Sequence, residues 1–90
     1  MKSLFVAFAI CAVAPAALAD PAAGDACAQK LTPDSKKIYD QVIASKPTQA
    51  SAQHVTETVT RDLAQRNVID ARRARNSAGD SMGCTSAYLK

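Results

Sequence analysis

The sequence predicts an all-α protein: a small three-helix bundle, stapled by one disulfide bond and preceded by a cleaved signal peptide. Three observations lead to this prediction. An apolar N-terminal segment ends in Ala17-Leu18-Ala19, which is typical of a signal-peptide cleavage site. Apolar residues in the rest of the chain recur at helical spacing. Two cysteines remain once the signal segment is removed.

Residues 1–19 have the three parts of a secretory signal peptide. Lys2 forms the n-region, the apolar run from Leu4 to Ala14 forms the h-region, and small residues lie at the −3 and −1 positions before the cleavage point. A membrane anchor would need about 20 apolar residues, whereas this run is shorter and is interrupted by Pro15. We expect cleavage after Ala19 and a periplasmic or secreted mature chain of 71 residues.

The mature chain has few side chains with which to build a core. Both phenylalanines lie in the signal segment, and thirteen large apolar side chains remain. Burial of each contributes about 1.5–3 kcal/mol, whereas ordering each residue of so short a chain costs about 1.5 kcal/mol. The balance lies near zero, so we expect such a domain to need a covalent staple or a partner.

Cys27 and Cys84 are the two cysteines of the mature chain, and disulfide bonds persist in exported proteins. With two cysteines only one intramolecular pairing exists. It would close a loop of about 57 residues, worth about 4 kcal/mol in the chain-entropy model. A redox-active thiol pair is the functional alternative, but such pairs usually lie about two residues apart. The spacing therefore favours a structural bridge.

The first predicted helix follows a segment without apolar periodicity. Residues 20–30 are rich in Ala, Pro, Gly and Asp and are expected to form a flexible lead-in to a helical domain over residues 31–90. Thr32 is a suitable N-cap, and Pro33 suits the first helical position. The helix is expected to end at Lys46-Pro47, because a proline excludes the preceding residue from the α region. Its apolar stripe comprises Ile38, Tyr39, Val42 and Ile43.

A second helix is predicted to open after Thr48 or Ser51 and to run to about Arg66. Its apolar residues, Val55, Val59 and Leu63, recur every four positions. The β-branched stretch from His54 to Thr60 resembles a strand, but strand alternation would place Glu57 on the apolar face. Helical spacing instead places Glu57 four residues from Arg61, and Asp62 four residues from Arg66, as expected for ion pairs.

A third helix is predicted to begin at about Ile69, with Asn67 acting either as a break or as a new cap. Its narrow face of small residues and methionine comprises Ala71, Ala74, Ala78 and Met82. Gly79 and Gly83 lower helix stability, and the pattern leaves open whether the helix continues through them. Cys84 is expected near the frayed or broken end.

The sequence contains no recognisable catalytic motif. His54 is the only histidine and has no sequence-local partner of the kind that a metal site or a catalytic triad would offer. The eight carboxylates mostly lie three or four residues from a Lys or Arg, as in the pairs Asp34–Lys37, Lys36–Asp40 and Asp70–Arg73. These are expected to be solvated helix-face pairs. We therefore expect a protein that is not an enzyme and that needs neither a cofactor nor a metal.

The arginines Arg72, Arg73 and Arg75 are the one local concentration of charge. They could attract phosphate, anionic lipid headgroups or an acidic protein. At about 100° per residue they fan over about 160° of a helix surface, which favours a solubilising face. The mature chain carries ten basic residues against eight acidic ones and no aromatic residues interleave with the arginines, so nucleic acid is not an expected partner.

The order of several motifs resembles a group of small exported helical proteins of Gram-negative bacteria. After the signal segment these motifs are Cys27, Leu31-Thr32-Pro33-Asp34, Ile38-Tyr39, Ala71-Arg72 with Ala74, and Gly83-Cys84. The resemblance covers most of the mature chain and implies a periplasmic location, one disulfide bond and an all-helical fold, without implying a reaction. A looser similarity, in size and in one bridge across a helical bundle, is to the acid-stress periplasmic chaperones; a shared architecture does not transfer function.

Two classes of function are compatible with these observations. The first is an interaction or stress-protection module that binds another envelope protein or unfolded clients. The second is a protein that binds anions or a membrane surface through Arg72, Arg73 and Arg75. Dye binding across pH would favour the first class, whereas association that weakens steeply with salt would favour the second.

We predict that the exported protein begins at Asp20, because the h-region and Ala17-Leu18-Ala19 together define one cleavage point. Intact-mass analysis of protein recovered after export measures this directly. A mass that still includes residues 1–19 would contradict the prediction.

Overall fold

A computed structural model describes residues 20–90, and this part of the chain is helical with no strand. It contains four α-helices and a short 3-10 turn, Ala71–Arg73. The helices are α1 (Pro21–Ala28), α2 (Pro33–Ala44), α3 (Ala52–Gln65) and α4 (Ala74–Leu89). The predicted all-α class is confirmed, and Cys27 is bonded to Cys84 as expected. The bundle has four helices rather than three. The predicted signal peptide, including its last residue Ala19, lies outside the described residues.

The additional helix, α1, lies in the segment that was expected to be a flexible lead-in, and that expectation is wrong. Asp20 caps it, because its Oδ1 accepts a hydrogen bond from the backbone N–H of Ala23 at 3.1 Å. Pro21 occupies the first helical position. The buried residues of α1 are Gly24 and Ala28. Small residues in close contact hold this helix, so it has no apolar stripe for a periodicity argument to detect.

Helix α2 begins and ends close to the predicted positions. Thr32 is the N-cap, and its Oγ1 accepts a hydrogen bond from the backbone N–H of Ser35 at 3.3 Å. The chain leaves the helix at Lys46, whose φ of 54° lies in the left-handed region directly before Pro47. The stripe predicted for this helix faces the core: Ile38, Tyr39 and Val42 are buried, and Ile43 is half-buried.

Helix α3 occupies the predicted range, but the centre of its buried face differs from the predicted stripe. The buried residues are Ala52, Thr56, Thr60 and Leu63, while Val55 and Val59 pack at the margins. The Thr60 hydroxyl donates to the carbonyl oxygen of Thr56 at 2.7 Å. Such a bond satisfies the hydroxyl within its own helix and allows a polar side chain to be buried.

The connection from α3 to α4 differs from the prediction of a helix that begins at about Ile69. Asn67 has a φ of 60°, in the left-handed region, so it interrupts the helical backbone after α3 and does not cap a new helix. Ile69 is buried, and Asp70 caps the 3-10 turn by accepting a hydrogen bond from the backbone N–H of Arg72 at 2.9 Å. The α-helical backbone therefore starts at Ala74.

Helix α4 continues through Gly79 and Gly83 to Leu89, so Cys84 lies inside the helix rather than at a frayed end. Its buried residues are Ser77, Ser81, Cys84 and Thr85. Ala74, Ala78 and Met82 of the predicted face are half-buried, and Ala71 is exposed. The Thr85 hydroxyl donates to the carbonyl oxygen of Ser81 at 3.0 Å. Small hydroxyl side chains thus let the neighbouring helices approach α4 closely.

The core has two parts, which lie on neighbouring faces of α2. An aliphatic cluster joins α2, α3 and the segment before α4; its buried members are Ile38, Val42, Leu63 and Ile69. A second cluster surrounds the disulfide bond; its buried members are Ala28, Tyr39 and Cys84, with Cys27, Leu31, Ile43 and Tyr88 packed against them. The bridge therefore stabilises the part of the core with the fewest aliphatic side chains.

Two of the predicted helix-face ion pairs form. Lys36 lies 3.1 Å from Asp40, and Arg66 lies 2.8 Å from Asp62, with all four side chains exposed. Such pairs contribute only a few tenths of a kcal/mol.

The other predicted pairs, Asp34–Lys37, Asp70–Arg73 and Glu57–Arg61, do not form within the described residues. Two of the carboxylates bind backbone donors instead: Asp70 caps the 3-10 turn, and Asp34 Oδ2 accepts a hydrogen bond from the backbone N–H of Asp70 at 2.9 Å.

Across residues 20–90, no helix combines the length and the apolar character that crossing a membrane would require.

We predict that Gly24→Ala destabilises the fold by about 1–3 kcal/mol through overpacking. A Cβ at this position would lie 2.5 Å from Tyr88 Cβ and 2.9 Å from Tyr88 Cα, and the latter atom is backbone that has little freedom to move. Gly79→Ala is the matched control, because a Cβ there meets nothing within 4 Å. The control should stabilise helix α4 by about 0.5–1 kcal/mol. Chemical denaturation measures both changes, and equal effects would contradict the prediction.

Candidate functional site

Helices α1 and α4 meet at a closely packed seam, which is formed by Gly24, Cys27, Cys84 and Tyr88. The Cα atoms of Cys27 and Cys84 lie 5.3 Å apart, and 57 residues separate the two cysteines in sequence. Cys84 is 1% exposed, whereas Cys27 is half-buried. One turn before Cys27, the missing side chain of Gly24 allows α1 to lie against Tyr88. The two helices are thus held by a covalent bond and by a contact that excludes any side chain at position 24.

Tyr39 connects α2 to this seam. Its side chain is buried, and its hydroxyl donates a hydrogen bond to Asp25 Oδ1 of α1 at 3.1 Å. Burial raises the pKa of the Tyr39 phenol well above its ordinary value, and the hydrogen bond to Asp25 and the charge of that carboxylate raise it further. At neutral pH Tyr39 is therefore a neutral donor that positions α1. Such a group is a structural link rather than a nucleophile or a general base.

The three predicted arginines lie together where α4 begins. Arg72 and Arg73 belong to the 3-10 turn, Arg75 belongs to the first turn of α4, and all three are exposed. No carboxylate of the described residues forms an ion pair with any of them. Their guanidinium groups are thus available to an anion, although the Asp70 carboxylate already caps the adjacent turn.

An open cavity of about 180 Å³ lies beside Arg73, between the start of α2 and the first turns of α4. Its lining residues are Thr32, Pro33, Asp34, Arg73 and Ser77. Both charge signs are present, because Asp34 and Arg73 contribute to the same walls. Arg72 and Arg75 do not line it, so the structure does not bring the three arginines together around a single cavity.

A larger open cavity of about 260 Å³ lies at the other end of α4. It is lined by Gln49, Ala52, Met82, Ser86, Leu89 and Lys90. Two of these lining residues are bonded to each other: Gln49 Nε2 donates a hydrogen bond to the carbonyl oxygen of Leu89 at 3.1 Å. The walls are mixed in polarity and offer no cluster of titratable groups.

His54 is exposed on α3, far from the seam in sequence. Within residues 20–90, no group of three His, Cys, Asp or Glu side chains is arranged to hold a metal ion.

Sequence reasoning identified the cysteines and the arginines but missed other residues of these sites. Gly24 and the Tyr39–Asp25 hydrogen bond depend on the packing of α1, which was expected to be flexible. The pair Asp20-Pro21 carried a usable signal, because an N-cap residue followed by proline is a helix start. The position of Ser77 at the cavity beside Arg73 depends on where α4 crosses α2, which no local pattern reveals.

No protein-family model, no curated protein and no solved structure matches this chain.

We predict that Tyr39→Phe lowers stability by about 1 kcal/mol at pH 8 through loss of the hydrogen bond to Asp25. The wild-type phenol keeps its proton in the folded state at pH values where the unfolded phenol, with a pKa of about 10, loses it. Unfolding then releases a proton, so stability due to Tyr39 falls as pH rises above about 10.

The stability gap between wild type and Tyr39→Phe should therefore narrow from pH 8 to pH 11. Tyr88 is present in both proteins, so its contribution cancels. Urea denaturation at each pH measures the gap, and a gap that stays constant over this range would contradict the assignment.

Proposed function

We propose that this chain is a non-enzymatic interaction module of the periplasm, which binds another envelope protein or protects unfolded clients under stress. The single observation that supports this most is the uneven attachment of α3. The fully buried face of this helix is rich in hydroxyl groups, and the helix lies outside the pair that the disulfide bond joins, α1 and α4.

The fully buried face of α3 has one large aliphatic side chain, Leu63, besides Ala52 and two threonines, while Val55 and Val59 pack only half-buried at its margin. The Thr56 hydroxyl of α3 donates to Met82 Sδ of α4 at 3.4 Å, and the fully buried side chains of α4 are small, among them Ser81 and Thr85. Hydroxyl groups that bond within their own helix contribute less to helix association than apolar side chains of the same size. The association of α3 with the rest of the bundle is therefore weak for its length.

The bridge divides the described chain into a tethered part and a free part. Cys27 lies in α1 just before α2, and Cys84 lies inside α4, so the bond keeps these elements near one another. Helices α2 and α3 both lie within the loop that the bond closes, but α2 follows Cys27 after a short turn and bonds to α1 through Tyr39. Within residues 20–90, helix α3 is held to the bundle by packing and by one hydrogen bond, from Thr56 to Met82. Partial opening should begin there, because a segment held only by non-covalent contacts can open while the bridged helices α1 and α4 stay together.

Opening of α3 would expose apolar surface that the folded protein hides. Ile38 and Val42 are fully buried beneath it, and Leu63 and Ile69 are 5% and 4% exposed. In the folded state, Val68 is the only exposed large apolar side chain of the described region. An apolar surface that is buried in the folded protein and becomes exposed as one patch when α3 opens is suited to binding unfolded clients only under stress.

Three further observations support export. Residues 1–19 have the pattern of a signal peptide, and the motif order resembles a group of exported proteins of Gram-negative bacteria. The disulfide bond indicates an oxidising compartment outside the cytoplasm.

Leu63→Ala tests the role of α3, because truncation of this buried side chain should weaken its attachment by about 2–5 kcal/mol. The variant is expected to bind an apolar dye at milder pH or temperature than wild type. Over the same range it should suppress the aggregation of chemically denatured citrate synthase. Gln53→Ala, an exposed change on the same helix, should behave like wild type.

If Leu63→Ala unfolds the whole domain, Val59→Ala is the alternative variant. It removes a half-buried side chain of α3 and should weaken the attachment of this helix by a smaller amount. Dye binding without any suppression of aggregation, in wild type and both variants, would contradict client protection. Recovery of one envelope protein with the mature chain would then favour the partner-binding form of the proposal.

A second candidate, binding to an anionic surface, is favoured by Arg72, Arg73 and Arg75, which are exposed and form no ion pair with any side chain of residues 20–90. Arg72→Glu with Arg73→Glu should leave folding nearly intact and abolish binding to phosphatidylglycerol vesicles. Lys30→Glu with Lys46→Glu is the matched control, because it reverses the same charge at exposed positions elsewhere. Equal losses in both proteins, or no vesicle binding by wild type, would count against this candidate.

A further inference from the structure

The C-terminal end of α4 is engaged by groups from distant parts of the chain. The last carbonyl groups of a helix lack partners within it, and they form the negative end of the helix dipole. The Leu89 carbonyl oxygen accepts a hydrogen bond from the Gln49 side chain at 3.1 Å. The Tyr88 carbonyl oxygen accepts one from the backbone nitrogen of Asp20 at 2.7 Å. The start of the described chain is thus bonded directly to its last helix.

Asp20 is fixed by three separate hydrogen bonds. Its backbone nitrogen donates to Tyr88, as described above. Its Oδ1 accepts a hydrogen bond from the backbone N–H of Ala23 at 3.1 Å, and its carbonyl oxygen accepts one from the backbone N–H of Gly24 at 3.2 Å. The bonds from Ala23 and Gly24 form the start of helix α1, and the bond to Tyr88 joins α1 to α4. The position of the Asp20 nitrogen is therefore set by the packing of both helices.

The same nitrogen is the atom that cleavage after Ala19 would change from an amide to a charged α-ammonium. We infer that the α-ammonium of mature Asp20 binds the Tyr88 carbonyl oxygen at the negative end of α4, so that removal of the signal peptide strengthens the fold. A hydrogen bond from a charged donor is about twice as strong as one from a neutral amide. The dipole of α4 favours a positive charge at this end. The inference rests on the export proposed above.

The charged and titratable groups around this corner come from three helices. On α1 they are the carboxylates of Asp20 and Asp25, and on α2 the phenol of Tyr39, which bonds to Asp25. On α4 it is the phenol of Tyr88, and directly after the helix it is the side chain of Lys90. The carboxylates favour an ammonium group, the Tyr39 phenol is neutral at pH 7, and the Lys90 side chain opposes it. The balance favours the charged form.

Three versions of the mature protein test this inference. The first begins at Asp20, the second is the same chain acetylated at its N-terminus, and the third begins at Ala19. Acetylation keeps the N–H donor and removes the charge, while the extra alanine keeps the charge and moves it by one residue. At pH 6 the chain that begins at Asp20 should melt a few degrees above the other two.

The pH dependence provides a second readout. A bound ammonium group should have a pKa above the ordinary range of about 7.7–8.0 for an α-amino group. Its stabilisation is then complete below that ordinary range and is lost as pH rises through the pKa of the folded state. The difference in melting temperature between free and acetylated chains should close over this range, and the pKa can be measured by NMR.

Equal melting of the free and acetylated chains at pH 6 would overturn the inference, as would an α-amino pKa at or below the ordinary range. Asp20→Asn, which retains a capping oxygen, should preserve the difference; its loss would show that the ammonium acts through its own carboxylate. These samples are prepared with defined N-termini. Their result is therefore independent of whether cells cleave after Ala19, which intact-mass analysis decides.

Discussion

The disulfide bond between Cys27 and Cys84 is the interaction on which the rest of the fold depends. It joins the end of α1 to the interior of α4 and brings the two helices close enough that position 24 admits only glycine. Tyr39 of α2 then reaches across to Asp25 of α1. Because the aliphatic cluster lies on another face of α2, the buried members of this part of the core include no large aliphatic side chain.

This distribution of bonds and apolar contacts links the fold to the proposed function. The bridge holds α1 to α4, and Tyr39 links α2 to α1. Helix α3 instead depends on one buried leucine, two buried threonines and the half-buried Val55 and Val59. A domain built in this way has one segment that can move while its framework remains tethered. The aliphatic cluster beneath that segment supplies the apolar surface that a client or partner protein would bind.

The sequence was informative where a local rule acts alone. The Thr32-Pro33 start of α2 and the four-residue spacing of Val55, Val59 and Leu63 predicted two helices, and a mature chain with two cysteines allows one bridge. Helix α1 escaped prediction because its contacts are those of a glycine and alanines with distant helices. Residue spacing likewise predicted carboxylate–cation pairs at Asp34 and Asp70, whose actual partners are backbone donors that only the tertiary fold supplies.

Thiol labelling and thermal melts of the mature protein, with and without reductant, test the central role of the bridge most directly. The account predicts no free thiol in exported protein and a loss of about 4 kcal/mol on reduction or in Cys27→Ser with Cys84→Ser. Small domains rarely exceed about 5 kcal/mol in total stability, so the unbridged chain should be largely unfolded near about 37 °C. Two free thiols, or a melting curve unchanged by reduction, would contradict it.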